Sequence, residues 1–190
     1  MYHIRNDVRA EKSAQLMYEG LYRMLKQKEY GKITVSDISK ESTVSRATFY
    51  RNFDEIIDIL SWKCDCEFHS VLTGFVESVP PLEHQNELLS YVLKYWMTHI
   101  DILEILMNIG RLDIIYNGFV NNSPVITDYL ELRGIHMDLD NFDYFISVRA
   151  GFFVGIIRAW VNAGKTQSAE EVSEIVQEQF RQAAGSKLIV

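Results

Sequence analysis

The chain has 190 residues, the size of one mid-sized domain or of a small module joined to a larger body. Its hydrophobic fraction of 47%, aromatic fraction of 12% and three prolines exclude disordered, collagen-like and proline-rich classes, which lack the apolar surface that offsets ordering entropy. The net charge of −7 is unevenly spread: residues 1–53 carry ten Lys/Arg against six Asp/Glu, a net of +4, and the rest nine against twenty, a net of −11. A basic first third on an acidic body is expected of a polyanion-binding module carried by a part with another task.

In chain order, Ala14, Met17, Leu21 and Leu25 recur at helical spacing and predict an amphipathic helix from about Arg5 to Lys28. Thr34, with Asp37 three residues on, is a capping-box start for a short helix whose apolar face, Val35 and Ile38, runs out by Lys40. After the polar turn Glu41 to Val44, Ser45 is a good N-cap for a second short helix, Arg46 to Phe53, with Phe49 and Phe53 on one face. Two short helices joined tightly are a helix-turn-helix candidate.

Ile57, Leu60, Cys64, Phe68, Val71 and Phe75 then mark a long helix stopped by Val79 and Pro80-Pro81. Further helices are predicted over Leu88 to Ile100, Ile102 to Ile109, Leu112 to Phe119 and, past the Asn121-Asn122-Ser123-Pro124 breaker, Val125 to Leu132. Phe142 to Ala163 is apolar nearly all round, as in a helix buried on several sides, and Ser168 with Glu171 opens a last capped helix to Ala184. No strand-like alternation bounded by hairpin turns occurs, so the expected fold class is all-α, with about nine helices.

The segment Ile33 to Phe53, ITVSDISKESTVSRATFYRNF, resembles the DNA-binding motif of TetR/AcrR-type transcriptional regulators. The likeness includes the preceding amphipathic helix, the Thr34 start, the Val44-Ser45-Arg46 opening, the run Thr48-Phe49-Tyr50-Arg51-Asn52-Phe53 and the long helix that follows. It implies a helix-turn-helix DNA-binding domain over 1–53 and a helical effector-binding and dimerisation domain over 54–190. It also implies that the second short helix enters the major groove and that Tyr50 contacts a phosphate. On physical grounds Arg46 and Ala47, at the start of that helix, suit base edges, guanine and a thymine methyl respectively. Thr34, Ser36, Ser45, Thr48 and Tyr50 offer hydroxyls or helix-start N–H groups to phosphates, with Arg51 as a further candidate, while Phe49 and Phe53 pack inward. The family usually has Gly before the Val-Ser pair and Lys three positions after the final Phe; here Thr43 and Ile56 stand instead. The stretch with Phe145, Gly151, Gly155, Ile156, Trp160, Gly164 and Ser168-Ala169-Glu170-Glu171 is similar, more loosely, to the ligand and dimerisation half of a branch that includes dihydroxyacetone kinase regulators.

Common nucleotide, hydrolase and zinc signatures are absent, so neither an enzyme, a metal nor a cofactor is expected. His99 with Asp101 and Glu104 reads as a helix junction rather than a metal site. Cys64 and Cys66, two apart on a helix, point to nearly opposite sides and suit a reducing setting; with no signal peptide between Met1 and Ala10, the expectation is cytoplasmic. Phe142 to Val161 is interrupted by Asp143, Arg149 and Arg158, which argues against a membrane span. Each arginine there needs a carboxylate, a snorkelling path or an anionic ligand.

The expected partners are a palindromic duplex operator, a second copy of the chain and a small-molecule effector that releases a repressor. Gly151, Gly155, Ala159 and Ala163 form a small-residue stripe suited to close helix approach, with Val172, Val176 and Phe180 of the last helix beside it. The candidate effector residues are Trp96, His99, Met107, Arg111 and Tyr116, closed by Arg149 and Phe152. The alternative is an all-α regulatory interaction protein that acts through a protein partner rather than by direct operator binding.

Overall fold

The computed structural model describes residues 1–4, 7–78, 87–132 and 141–186. Among them lie ten α-helices and one 3-10 turn, Tyr30–Lys32, with no strand beyond an isolated bridge between Tyr2 and Phe53. The helices are α1 (Val8–Leu25), α2 (Val35–Ser42), α3 (Arg46–Asn52), α4 (Ile56–Ser78), α5 (Glu87–Thr98), α6 (Asp101–Asn108), α7 (Leu112–Asn122), α8 (Pro124–Leu132), α9 (Phe142–Asn162) and α10 (Ala169–Ser186).

Their starts follow local chemistry. Asp7 accepts from the Arg9 N–H ahead of α1, Thr34 and Asp37 complete a reciprocal capping box at α2, Ser45 accepts from the Thr48 N–H at α3, and Ser168 and Glu171 cap α10. Pro124 is the first residue of α8, where a missing N–H costs nothing, so the predicted breaker passes one helix directly to the next. The predicted stop at Val79 and Pro80-Pro81 lies outside the described residues.

α4 is the axis of the molecule and packs against α1, α5, α6, α7 and α8. At its middle Phe68 is fully buried, its ring 4.7 Å from that of Trp96 on α5, 5.9 Å from Phe119 on α7 and 5.5 Å from Phe153 on α9. α7 approaches α4 closely because Gly118 faces this ring: a Cβ there would lie 2.7 Å from Phe68 Cδ2. The core is continuous from the first helices into the body. Phe49 and Phe53 are buried as expected, and Phe53 meets Trp62 of α4 edge-on at 6.4 Å.

A half-buried polar chain binds three helices together beside this core. Lys63 pairs with Glu67 at 2.6 Å, the Tyr95 hydroxyl donates to the same carboxylate, and the Lys63 ammonium lies 5.3 Å over the Tyr18 ring of α1. Burial pushes the Glu67 carboxyl up, but the bonds from Lys63 and Tyr95 outweigh it and hold the group below its usual range. On the other side of α4, the Tyr2 hydroxyl donates to Asp65 at 2.6 Å and Asn121 of α7 donates to its other oxygen.

α9 differs from expectation. It is long and apolar enough to cross a membrane by length and composition, yet Ile146, Ala150, Phe153, Ile157 and Trp160 pack one face into the core. Its remaining faces, with Tyr144, Val148, Gly151, Phe152, Gly155, Arg158 and Ala159, are exposed, so it is buried on one side rather than several. Composition alone cannot separate these cases, because an apolar face meets the same requirement whether its own chain or another covers it. Arg149 takes the snorkelling path: its guanidinium lies over the Phe145 ring and donates to the Phe145 carbonyl.

Candidate functional site

α1, α2 and α3 form a compact trihelical unit. α2 lies close on α1 at Gly20, where a Cβ would meet Ser42 Cβ at 3.1 Å, and Arg23 of α1 donates to the Glu41 side chain at 2.7 Å and to its carbonyl. The turn between α2 and α3 needs one left-handed residue, and Thr43 supplies it, with φ 59° and ψ 14°. The departure from glycine noted in the sequence therefore keeps the turn geometry and places a β-branched residue where glycine is favoured.

With Phe49 and Phe53 turned inward, α3 presents Arg46, Ala47, Tyr50 and Arg51 outward. Tyr50 is 53% exposed, its ring held edge-on by Phe49 at 5.2 Å. Arg46 and Arg51 make no ion pair among the described residues, and neither does the exposed Lys40 of α2, a cation that the sequence reading did not single out. By contrast, Arg23, Lys28 and Lys32 are paired to Glu41, Asp37 and Glu29. Unpaired cations keep their full charge for a polyanion; paired ones must first give up a partner.

The other candidates on this face divide by the state of their hydroxyls. Ser36 is exposed. Ser45 and Thr48 bond to each other at 2.9 Å. The Thr34 hydroxyl is committed to Asp37 at 2.9 Å, and those bonds, with Lys28 beside them, hold the Asp37 carboxyl below its usual range, so a charged carboxylate occupies the start of α2. The start of α4, beside Ile56, is likewise lined by the chain's own acids: Asp58 is buried and accepts from the Asp54 and Glu55 N–H groups at 3.0 and 2.8 Å. Those N–H groups are satisfied internally. Among the described residues the unpaired cations on α3 and the end of α2 are Arg46, Arg51 and Lys40, and α1 adds the exposed Arg9 and Lys12, with Lys26 just after it.

The small-residue stripe, Gly151, Gly155, Ala159 and Ala163, lies on the exposed side of α9, and a Cβ at either glycine would meet nothing within 4 Å. α10 packs chiefly on α5 and meets α9 through Phe152 and Phe180, whose rings are 5.0 Å apart. Phe180 and Ile175 are exposed on this side. Val176 is half-buried, and Val172 is buried within its own chain and cannot belong to a surface.

The seven effector candidates are not brought together. Trp96 lies in the aromatic core, with Met107 and Tyr116 half-buried. His99 is on the surface, stacked on Tyr95 at 4.2 Å and bonded to Thr98. Arg111 forms a two-point pair with Asp113 at 2.8 Å, while Arg149 and Phe152 face outward. Glu104, drawn in the sequence beside His99 and Asp101, pairs instead with Lys165 at 2.6 Å. Among the described residues no group of three or more His, Cys, Asp or Glu is placed to hold a metal ion.

No protein-family model matches the chain, and no curated protein matches it. Among solved structures it is similar to Lin0861 from Listeria innocua, with 18% identity over 94% of each chain and a TM-score of 0.78. It is also similar to a protein from Aquifex aeolicus VF5 described as a transcriptional regulator of the "TerR/AcrR family", with 14% identity, 90% of this chain and 98% of that one covered, and a TM-score of 0.53. At these identities the likeness is one of fold, and the chain has the all-α fold of TetR/AcrR-type regulators.

Proposed function

We propose that the chain is a cytoplasmic, non-enzymatic transcriptional regulator that binds a near-palindromic duplex operator as a homodimer and is a repressor released by a small-molecule effector. Residues 1–53 are its DNA-binding domain and 54–190 its effector-binding and dimerisation domain. The observation that carries this reading is the division of α3: Phe49 and the Phe53 that follows the helix are buried, while Arg46, Ala47, Tyr50 and Arg51 turn to solvent on a helix-turn-helix of the TetR/AcrR fold. Arg46 and Ala47 then read base edges, and Tyr50, Ser45, Thr48, Arg51 and Ser36 set the register on phosphates. Thr34 contributes less, since its hydroxyl serves Asp37. The exposed apolar face of α9 and α10 supports the dimer: Val148, Gly151, Phe152, Gly155, Ala159, Ile175 and Phe180 would be covered by the same face of a second copy in an isologous contact. Such a dimer carries two reading helices to half-sites about one helical turn, or a small multiple of it, apart.

The test is selection of bound sequences from a randomised duplex pool, followed by titration at several salt concentrations. A palindromic consensus is expected, with affinity that falls as salt rises. Arg46→Ala should lose discrimination at one or two base pairs, at about 1 to 3 kcal/mol each, while Tyr50→Phe should weaken all sequences evenly. An Arg46→Ala protein with unchanged affinity and base preference removes α3 from the reading role. Absence of any enriched sequence favours an output through a protein partner.

A further inference from the structure

We infer that Tyr2 is a positioning residue for α3: through the arm of residues 1–4 it ties the end of that helix to α4 and α7, and so fixes the pose in which α3 meets a duplex. The part of this inference that concerns the duplex rests on the function proposed above. The arm lies antiparallel to the link between α3 and α4. The His3 N–H donates to the Asn52 carbonyl at 2.8 Å, the Asp54 N–H donates to the Met1 carbonyl at 3.3 Å, and Tyr2 bridges Phe53 between them. Asn52 is the last residue of α3 and Phe53 its C-cap. The last carbonyls of a helix have no partner within it, so the arm satisfies one that α3 leaves open.

From that base the Tyr2 side chain crosses to the body. Its ring packs half-buried against the core, and its hydroxyl donates to Asp65 of α4 at 2.6 Å, while Asn121 of α7 donates to the other carboxylate oxygen. Among the described residues Asp65 has no cation beside it, and its side-chain partners are these two groups. A half-buried carboxylate without a cation is costly, and packing alone would be served as well by an apolar pair. What the polar pair adds is direction, because a hydrogen bond holds one geometry where ring contacts tolerate several. α3 has need of it: the helix packs on α1 and α2, and its own side chains make no hydrogen bond to the body among the described residues. In a two-fold dimer the pose of α3 on its body sets the distance between the two reading helices, and hence the spacing of half-sites that fits. Base preference within a half-site belongs to Arg46 and Ala47 and does not pass through the arm.

The experiment has two parts, both on the full chain. In the first, the half-site selected by wild type is placed in inverted pairs whose spacing is stepped by one base pair, and each duplex is titrated. Wild type should prefer one spacing. Tyr2→Phe, which keeps the ring and loses the donor, should lower that preference about 5- to 10-fold, the worth of one hydrogen bond, with the half-site consensus unchanged. A loss of stability alone would weaken every spacing alike. Asp65→Asn keeps an acceptor for Tyr2 and should retain the preference, whereas Asp65→Leu should match Tyr2→Phe. An unaltered spacing preference in Tyr2→Phe, or an altered half-site consensus, overturns the inference. The second part needs no DNA: hydrogen exchange followed by NMR should show the Phe53 and Asp54 amides of Tyr2→Phe exchanging about 5-fold faster, with Phe153 and Ile157 in α9 unchanged. Unchanged exchange at Phe53 and Asp54 overturns the tie itself, even where wild type selects an operator. Faster exchange there, with no sequence enriched by wild type, removes the regulator reading and leaves the tie.

Discussion

Thr43→Gly tests whether the turn between α2 and α3 stores strain. Thr43 sits at φ 59°, ψ 14°, is exposed, and makes no side-chain hydrogen bond among the described residues, so its replacement removes little but the conformational cost. A left-handed conformation costs an L-residue roughly 1–2 kcal/mol, and a β-branched side chain is among the least suited to it. Glycine escapes that cost but returns about 0.4–1 kcal/mol through the greater freedom of the unfolded chain. The net expectation is stabilisation by about 0.5–1 kcal/mol, or ~1–4 °C in melting temperature for a chain of this size. Urea denaturation followed by circular dichroism, at one fixed protein concentration, measures it, with Thr43→Val as the control that keeps the branch and loses only the hydroxyl. The control should match wild type. A glycine variant less stable than wild type would refute the strain argument, and a valine variant as stabilised as the glycine one would assign the gain to the hydroxyl.

Gly118→Val should destabilise by about 1–3 kcal/mol, because its side chain enters the space of Phe68, and the loss should appear as a lower urea midpoint with an unchanged slope. Asp65 has a pKa shifted opposite to those of Asp37, Asp54, Glu67 and Asp113: burial raises it, while the bonds from Tyr2 and Asn121 pull it down less strongly. Its folded form holds the proton more tightly than the unfolded one, so its contribution is full below the unfolded value and fades as pH rises through the folded value. The stability of Asp65→Asn relative to wild type should therefore grow from about pH 4 toward neutrality, and a pH-independent gap between their denaturation midpoints removes the argument. Gly155→Leu should give a folded monomer by sedimentation, with reduced operator affinity; a variant that still sediments as a dimer moves the interface off α9.

What was legible in the sequence was mostly local. Caps at Thr34, Ser45 and Ser168 act within one turn, so their residues announce the helix starts, and Phe49 and Phe53 reveal their inward face by spacing alone. Tertiary orientation was less accessible. Trp96 on α5, His99 in the turn after it and Arg111 just before α7 stand close in sequence, yet they end in the core, on the surface and in a local ion pair. Gly20 and Gly118 are close-approach residues, and the signal that could have found them is a glycine in the interior of an amphipathic helix, where it would otherwise weaken the helix. The tie from Tyr2 to Asp65 has no signature in sequence at all, since two residues so far apart in the chain meet only after the helices have packed.

The charge of the chain changes sign near Phe53, but its packing does not. The ring of Phe53 is shared with Trp62, and Tyr18 of the first helix is held by Lys63 of the fourth, so a cut at residue 53 would expose both sides of a joint. Heating should accordingly melt the reading unit and the body in one calorimetric transition rather than two. The same joint limits engineering: residues 1–53 grafted onto another regulator body would arrive with an unsatisfied aromatic seam, whereas a graft carried through Glu67 would bring its own mating surface.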